Sequence, residues 1–305
     1  MMRVRDGVAE RLLHVGSSPV RVLAWRGPGA SARLRAEAIP PGRVVHPAAA
    51  GEPGEVTEAA EEELELALER WRFALALDDD MGEFFAAFKS DPLLGRVIRR
   101  RPWARPPRRP WPWEALAWAI TEQLIDAPRA KAIQRRMIRR WAPRTIPATS
   151  SASPPGVPGR DDPPLFDQPS AELVAGRAPA ELVGMDLTEA RALAMVRCAR
   201  EVSSGRAELD DPRSDQRLLA IREIGPWTLQ CLAYHGRGDP DALAAGDLAF
   251  IKLVGHLAKL GRRASVEEVQ EFFAPYAPFR GLAGTFALVG YHRMVAQGPP
   301  LRRAA

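Results

Sequence analysis

Cysteine is scarce in this chain: two among 305 residues, Cys198 and Cys231. Two thiols so far apart in sequence supply no disulfide framework and cannot hold a four-cysteine iron–sulfur cluster. Such usage fits a reduced, cytosolic protein. Five histidines (His14, His46, His235, His256 and His292) show no zinc spacing. The N-terminus, Met1 to Val15, lacks a long apolar run, so neither a signal peptide nor a membrane span is expected. Acid is in slight deficit, with 43 Lys and Arg against 38 Asp and Glu and a net charge of +5. The balance favours a polyanionic partner only loosely, because it is small for this length and mostly reflects arginine. The length allows one large domain or two modest ones with ample core.

The first seventy or so residues differ from the rest. Arg21 to Trp25 is strand-like. Ser31 to Ile39 alternates, with Ala32, Leu34, Ala36 and Ala38 on one face and Arg33, Arg35 and Glu37 on the other. Pro40-Pro41-Gly42 ends it. Thr57 then caps an acidic amphipathic helix carrying Leu64, Leu68 and Trp71, and Phe73, Leu75 and Leu77 suggest a return strand. This spacing predicts a small α+β module with an antiparallel sheet over 1–79. From Asp80 the period is helical, over 80–305. Phe84, Phe85 and Phe88 gather in one helix, and Trp113, Ala117, Ile120 and Leu124 form the stripe of another. Asp126 caps a third with Ala130, Ile133, Met137 and Trp141 in register. Thr188 to Ser203 and Phe286 to Met294 read as further helices, and Ser265 with Glu268 forms a capping box. The Pro/Ser/Gly-rich stretch within 142–167 cannot pack a core and reads as a flexible surface loop.

The residues richest in chemistry lie between Leu218 and Lys252. A short helix, a tight turn at Ile224-Gly225 and a second helix opening at Pro226-Trp227-Thr228 make a helical hairpin over 218–232. A hairpin of this kind points backbone N–H groups outward, and such groups bind phosphate without reading sequence. Pro226 suits the first helical position. A Gly/Pro/Asp-rich loop follows and delivers one carboxylate, Asp247, ahead of another apolar helix. Asp at such a junction commonly serves as an N-cap. A helix N-terminus also favours negative charge, so capping and chemistry are compatible.

Leu218, Ile221, Ile224, Gly225 and Thr228, then Gly246-Asp247-Leu248 with Lys252 beyond, resemble the helix-hairpin-helix DNA glycosylases. The likeness is greatest to the bacterial 3-methyladenine DNA glycosylase II type and covers about Trp71 to His292, more loosely the N-terminal module. It implies a mainly α fold with a small α+β N-terminal module, whose two helical subdomains flank a cleft. It also implies a phosphate-binding hairpin at Ile224, Gly225, Trp227 and Thr228, and a catalytic Asp247. Where that family has the first hairpin glycine, this chain has Glu223. The expected consequence is weaker non-specific DNA binding, or a side chain turned away from the phosphate. Gln123-Leu124 matches the end of a family helix whose Leu fills the space left by an extruded base, with Glu122 replacing a Gly. Read from periodicity alone, Leu124 is a core leucine. Trp227 stands where bifunctional relatives carry a nucleophilic Lys, and Trp cannot form a Schiff base. The resemblance therefore implies a monofunctional enzyme with Trp227, Cys231 and Leu288 around the base pocket, the last two replacing aromatics.

The activity so implied is excision of alkylated, 3-methyladenine-like bases, a hydrolase of base excision repair without lyase activity. The partner is double-stranded DNA with damaged bases; the chain acts as a monomer in the cytoplasm, with the nucleoid DNA of a bacterial-type cell. No cofactor and no side-chain metal site is implied; hairpin carbonyls leave room for a monovalent ion. Two alternatives stay open: a non-enzymatic DNA-binding protein on the same fold, and a glycosylase for deaminated or oxidised bases. The run from Ile98 to Trp113, with six Arg and three Trp, reads as a polyproline-like connector or a single-strand contact. Arg280, followed by Gly281, reads as structural or phosphate-facing.

Overall fold

A computed structural model describes residues 2–27, 31–40, 43–45, 59–145 and 163–296. The chain forms two compact units, Met1–Phe73 with Ile120–Glu223, and Ala74–Ala119 with Ile224–Ala305. In the first, β1 (Arg3–Arg5), β2 (Val8–Val15), β3 (Ser18–Arg26) and β4 (Ala32–Ala38) form an antiparallel meander in that order. Asp6 and Gly7 turn β1 into β2 with φ of 49° and 78°, the left-handed pair of a two-residue hairpin. Most of β2 and β3 is buried on both faces, which is why neither alternates cleanly in sequence. Buried Glu10 is neutralised by Arg3 and Arg21 at 2.6 Å each, on the two flanking strands. A second pairing joins β5 (Val44–Val45) to β6 (Arg144–Thr145).

The helices run α1 (Glu61–Ala74), α2 (Gly82–Phe88), α3 (Gly95–Arg100), α4 (Pro112–Glu122), α5 (Ala127–Trp141), α6 (Ala171–Ala175) and α7 (Pro179–Val183). They continue as α8 (Glu189–Ser203), α9 (Asp215–Leu219), α10 (Pro226–Leu232), α11 (Leu248–Leu257), α12 (Val266–Phe273) and α13 (Arg280–Ala296). The expected caps are in place: Asp126 accepts from Arg129 N at 2.8 Å, and Ser265 and Glu268 form their reciprocal box. The core of the second unit is aromatic. Phe84 lies edge-on to Phe279 and Phe286, and Phe250 to Phe273.

Several expectations need correction. Phe73, Leu75 and Leu77 do not form a return strand: α1 continues to Ala74 with Ala67 and Trp71 buried one turn apart. Ala76 then turns the chain at φ 49°. Three apolar residues at period two do not outweigh a helix that is already propagating. Thr57 lies outside the described residues. α4 does not bury a single stripe, since every residue from Pro112 to Thr121 is buried, as expected of a core helix. Nor does α4 include Leu124; it stops at Glu122.

Residues 146–162 of the Pro/Ser/Gly-rich stretch lie outside the described residues, but its flanks are built into the fold. Leu165 packs with Leu12, Ile39 and Val44. Asp167 meets His14 at 2.8 Å and Arg11 at 3.9 Å. Burial pushes the Asp167 carboxyl up, yet the hydrogen bond and charge of His14, with Arg11, hold it below the usual carboxylate range.

Candidate nucleic-acid interface and active-site residues

The hairpin joins α9 to α10. Leu218, Ile221 and Ile224 are buried, which fixes the turn between them. Glu223, at the family's glycine position, has φ 77°. The turn geometry is thus that of a glycine, imposed on a residue for which left-handed backbone costs about 1–2 kcal/mol. Its carboxylate swings toward Arg222 Nε at 3.5 Å. Gly225 is the N-cap of α10 with extended φ, and the space where its Cβ would stand is open. Thr228 is buried and its N–H is committed to Gly225 O at 3.0 Å, so it does not point at a ligand as expected. Among the described residues, the N–H groups of Ile224, Gly225 and Trp227 make no backbone hydrogen bond. Unspent N–H groups around one turn are donors of the kind that can take an anion.

The end of α4 forms a second feature. Leu124 is 100% exposed with φ 56°, so it is not the core leucine of the periodicity reading. A fully exposed leucine in a disfavoured backbone conformation gains nothing in folding that would explain it. Gln123 does not project freely beside it: its Nε2 donates to Glu223 O at 2.8 Å. Sequence reasoning missed Arg191, in the first turn of α8. It is 5% exposed. Its Nη1 donates to Gln123 O at 2.7 Å and Thr121 O at 3.3 Å, and its Nε to Thr188 Oγ1 at 2.9 Å. A cation on the last carbonyls of a helix is favourably placed. Burial lowers the proton affinity of this guanidinium and Arg129 lowers it further, opposed by Asp186 and Glu223.

In the second unit, Asp247 is half-buried and caps α11, its Oδ1 accepting from Ala249 N at 2.7 Å. Its Oδ2 makes no hydrogen bond among the described residues. The half-buried Trp227 indole lies against the preceding residue, its Cδ1 3.7 Å from where a Cβ on Gly246 would stand. The structure therefore brings hairpin helix, indole and carboxylate together. Cys231 is buried, and Leu288 packs against the aromatic core.

His235, also missed, donates Nδ1–H to Pro107 O at 2.5 Å and accepts at its carbonyl from Arg109 N. Burial pushes its pKa down and Arg109 adds to this, while the bond to Pro107 and the charge of Asp247 oppose it. The Arg/Pro/Trp run is thus tied down at several points. Arg108 pairs with Asp79 at 2.6 Å and reaches Gly238 O at 3.1 Å, whereas Trp103 stays 71% exposed. Arg280 is tied into the fold: Nε and Nη2 grip Asp241 at 2.9 and 2.5 Å. Gly281 beside it is needed because a Cβ would collide with Ala242 O.

No protein-family model matches the chain. Among curated proteins it is 24% identical over 218 residues to a DNA-3-methyladenine glycosylase of Bacillus subtilis, covering 70% of this chain and 67% of that protein. It is 28% identical over 246 residues to a probable bifunctional transcriptional activator/DNA repair enzyme AlkA of Mycobacterium tuberculosis, covering 80% of this chain but 46% of that protein. Among solved structures, a 3-methyladenine DNA-glycosylase from Archaeoglobus fulgidus superposes with a TM-score of 0.73 at 18% identity, covering 96% of this chain and 89% of that one. These relatives and structural neighbours support a likeness to the helix-hairpin-helix DNA glycosylase superfamily. The chain's mostly helical body with a small N-terminal antiparallel sheet is the fold of that superfamily. No helix among the described residues is long and apolar enough to cross a membrane.

Proposed function

We propose that this protein is a monofunctional DNA N-glycosylase that releases alkylated bases from double-stranded DNA, acting as a monomer in the cytoplasm. The observation that carries the reading is the carboxylate of Asp247 at the head of α11, next to a glycine that supports the Trp227 indole. The free N–H groups at Ile224, Gly225 and Trp227 hold a phosphate beside the lesion. Leu124 enters the stack as the base leaves it, lowering the unstacking cost of a few kcal/mol. The extruded base rests on Trp227, with Cys231 and Leu288 toward the rest of the pocket. Asp247 keeps one oxygen on Ala249 N–H and offers the other to the sugar. There it stabilises positive charge developing as the C–N bond breaks, or takes a proton from the attacking water. A cationic alkylated purine departs as a neutral base, so the step needs little acid assistance. Trp227 provides no amine, so the product is an abasic site in an unbroken strand.

The test is base release from duplexes carrying 3-methyladenine, 7-methylguanine, hypoxanthine, uracil or 8-oxoguanine, with borohydride added in parallel. Release of the methylated purines without a trapped adduct is the expected result. Release confined to the other three bases moves the specificity while keeping the machinery. Binding without any release makes the chain a non-enzymatic DNA-binding protein, and a trapped adduct overturns the monofunctional reading.

A further inference from the structure

We infer that Arg191 is a positioning residue for Leu124, acting through Gln123 and coupling it to the phosphate hairpin. The inference rests on the wedge role proposed above. Four polar groups form one chain of contacts within the first unit. Thr188 Oγ1 accepts from Arg191 Nε, Arg191 Nη1 holds Gln123 O, and Gln123 Nε2 holds Glu223 O. The main chain at Gln123 is thus fixed from α8, and its side chain from the hairpin. Leu124 is the next residue, in left-handed backbone with no side-chain burial of its own to keep it there.

The arrangement of Arg191 is unusual in its chemistry. A buried guanidinium ordinarily needs a carboxylate. This one spends its Nη1 on two main-chain carbonyls, Thr121 O and Gln123 O, which bracket Glu122 at the end of α4. Planar fork geometry permits Nε and Nη1 to donate in different directions at once, which a lysine ammonium on its flexible stem does not reproduce. Because Gln123 also ends on Glu223, the wedge is tied to the first limb of the hairpin, at the residue before Ile224 in the chain.

The experiment compares wild type with Arg191→Lys, Gln123→Ala and Leu124→Ala on a methylated base paired in duplex and on the same base in single-stranded DNA. The quantity read is the ratio of the two rates. A wedge is needed only where a stack must be opened, so each substitution should lower that ratio about ten-fold. The Arg191→Lys, Leu124→Ala double variant should fall no further than Leu124→Ala alone. A merely structural Arg191 would lower both rates together and leave the ratio unchanged, and additive losses would likewise overturn the inference. Gln123→Ala, at a half-buried site, keeps the question decidable if Arg191→Lys does not fold. A 2-aminopurine beside an abasic analogue reads unstacking directly. If wild type brightens the probe and Arg191→Lys and Gln123→Ala do not, the coupling stands even where no base is released and the glycosylase reading has failed. If wild type leaves the probe dark, the inference is overturned.

Discussion

Gln123 and Glu223, one hundred positions apart, are joined by a side-chain amide donating to a main-chain carbonyl. The bond links two strained points, Leu124 at φ 56° and Glu223 at φ 77°. Strain of this kind persists when the surroundings over-determine it, and it gathers at functional positions. Both points offer direct tests.

Glu223→Gly should remove left-handed strain of about 1–2 kcal/mol, against about 0.5–1 kcal/mol returned by glycine's greater freedom when unfolded. Urea titration should therefore show equal or slightly higher stability. Removing the anion should also tighten binding to undamaged duplex, by about 1 kcal/mol or less, because exposed charges are screened. The gain should shrink as salt rises. Weaker binding at every salt concentration would mean that Glu223 makes a productive contact.

Leu124→Gly should behave differently. The side chain is wholly exposed, so its loss removes no burial, and the backbone conformation suits glycine. Stability should stay level or rise, while release of a base paired in duplex falls about ten-fold or more, as expected when unstacking loses its wedge. Unchanged release would remove Leu124 from the mechanism.

At Asp247, two substitutions separate the cap from the chemistry. Asparagine still accepts the Ala249 N–H, so Asp247→Asn should keep its melting temperature and DNA affinity while base release drops by about 100-fold or more. Asp247→Ala should lose the cap as well, at a cost of about 1 kcal/mol. Near wild-type release by Asp247→Asn would refute the catalytic assignment.

His235 predicts a pH dependence of stability. Its folded pKa lies below its ordinary value of 6.5, chiefly through burial. The unfolded chain binds the proton more tightly, so the stabilisation is complete above the unfolded pKa and declines as pH falls from about 6.5 through the folded value. His235→Asn retains a donor for Pro107 O and does not titrate. Denaturation curves at about pH 8 and about pH 5 should show a smaller acid loss for this variant. An equal loss in both proteins would place the acid sensitivity elsewhere.

Local chemistry was enough to read much of this protein. The apolar trio Leu218, Ile221 and Ile224, the cap at Asp126, the box at Ser265 and the Asp247 junction are all set by residues within a few positions of one another. Their signals therefore survive in sequence. The N-terminal sheet was half legible. β4 alternates because one face is wet, whereas β2 and β3 are buried on both faces and carry Glu10 and Arg11 inside.

Only the tertiary structure decided the rest. Whether Leu124 lay in the core or on the surface turned on where α4 stopped, and the carbonyls at that end are held by Arg191 from a helix nearly seventy residues later. In sequence Arg191 looks like any surface charge. Burial turned it into a fixed donor, just as the turn geometry turned Glu223 into a stand-in for glycine. Short-range periodicity determines which segments become helices and where an N-cap can sit. The partners of a buried charge, and the backbone angle forced on one residue, are set by groups that only the folded chain brings together.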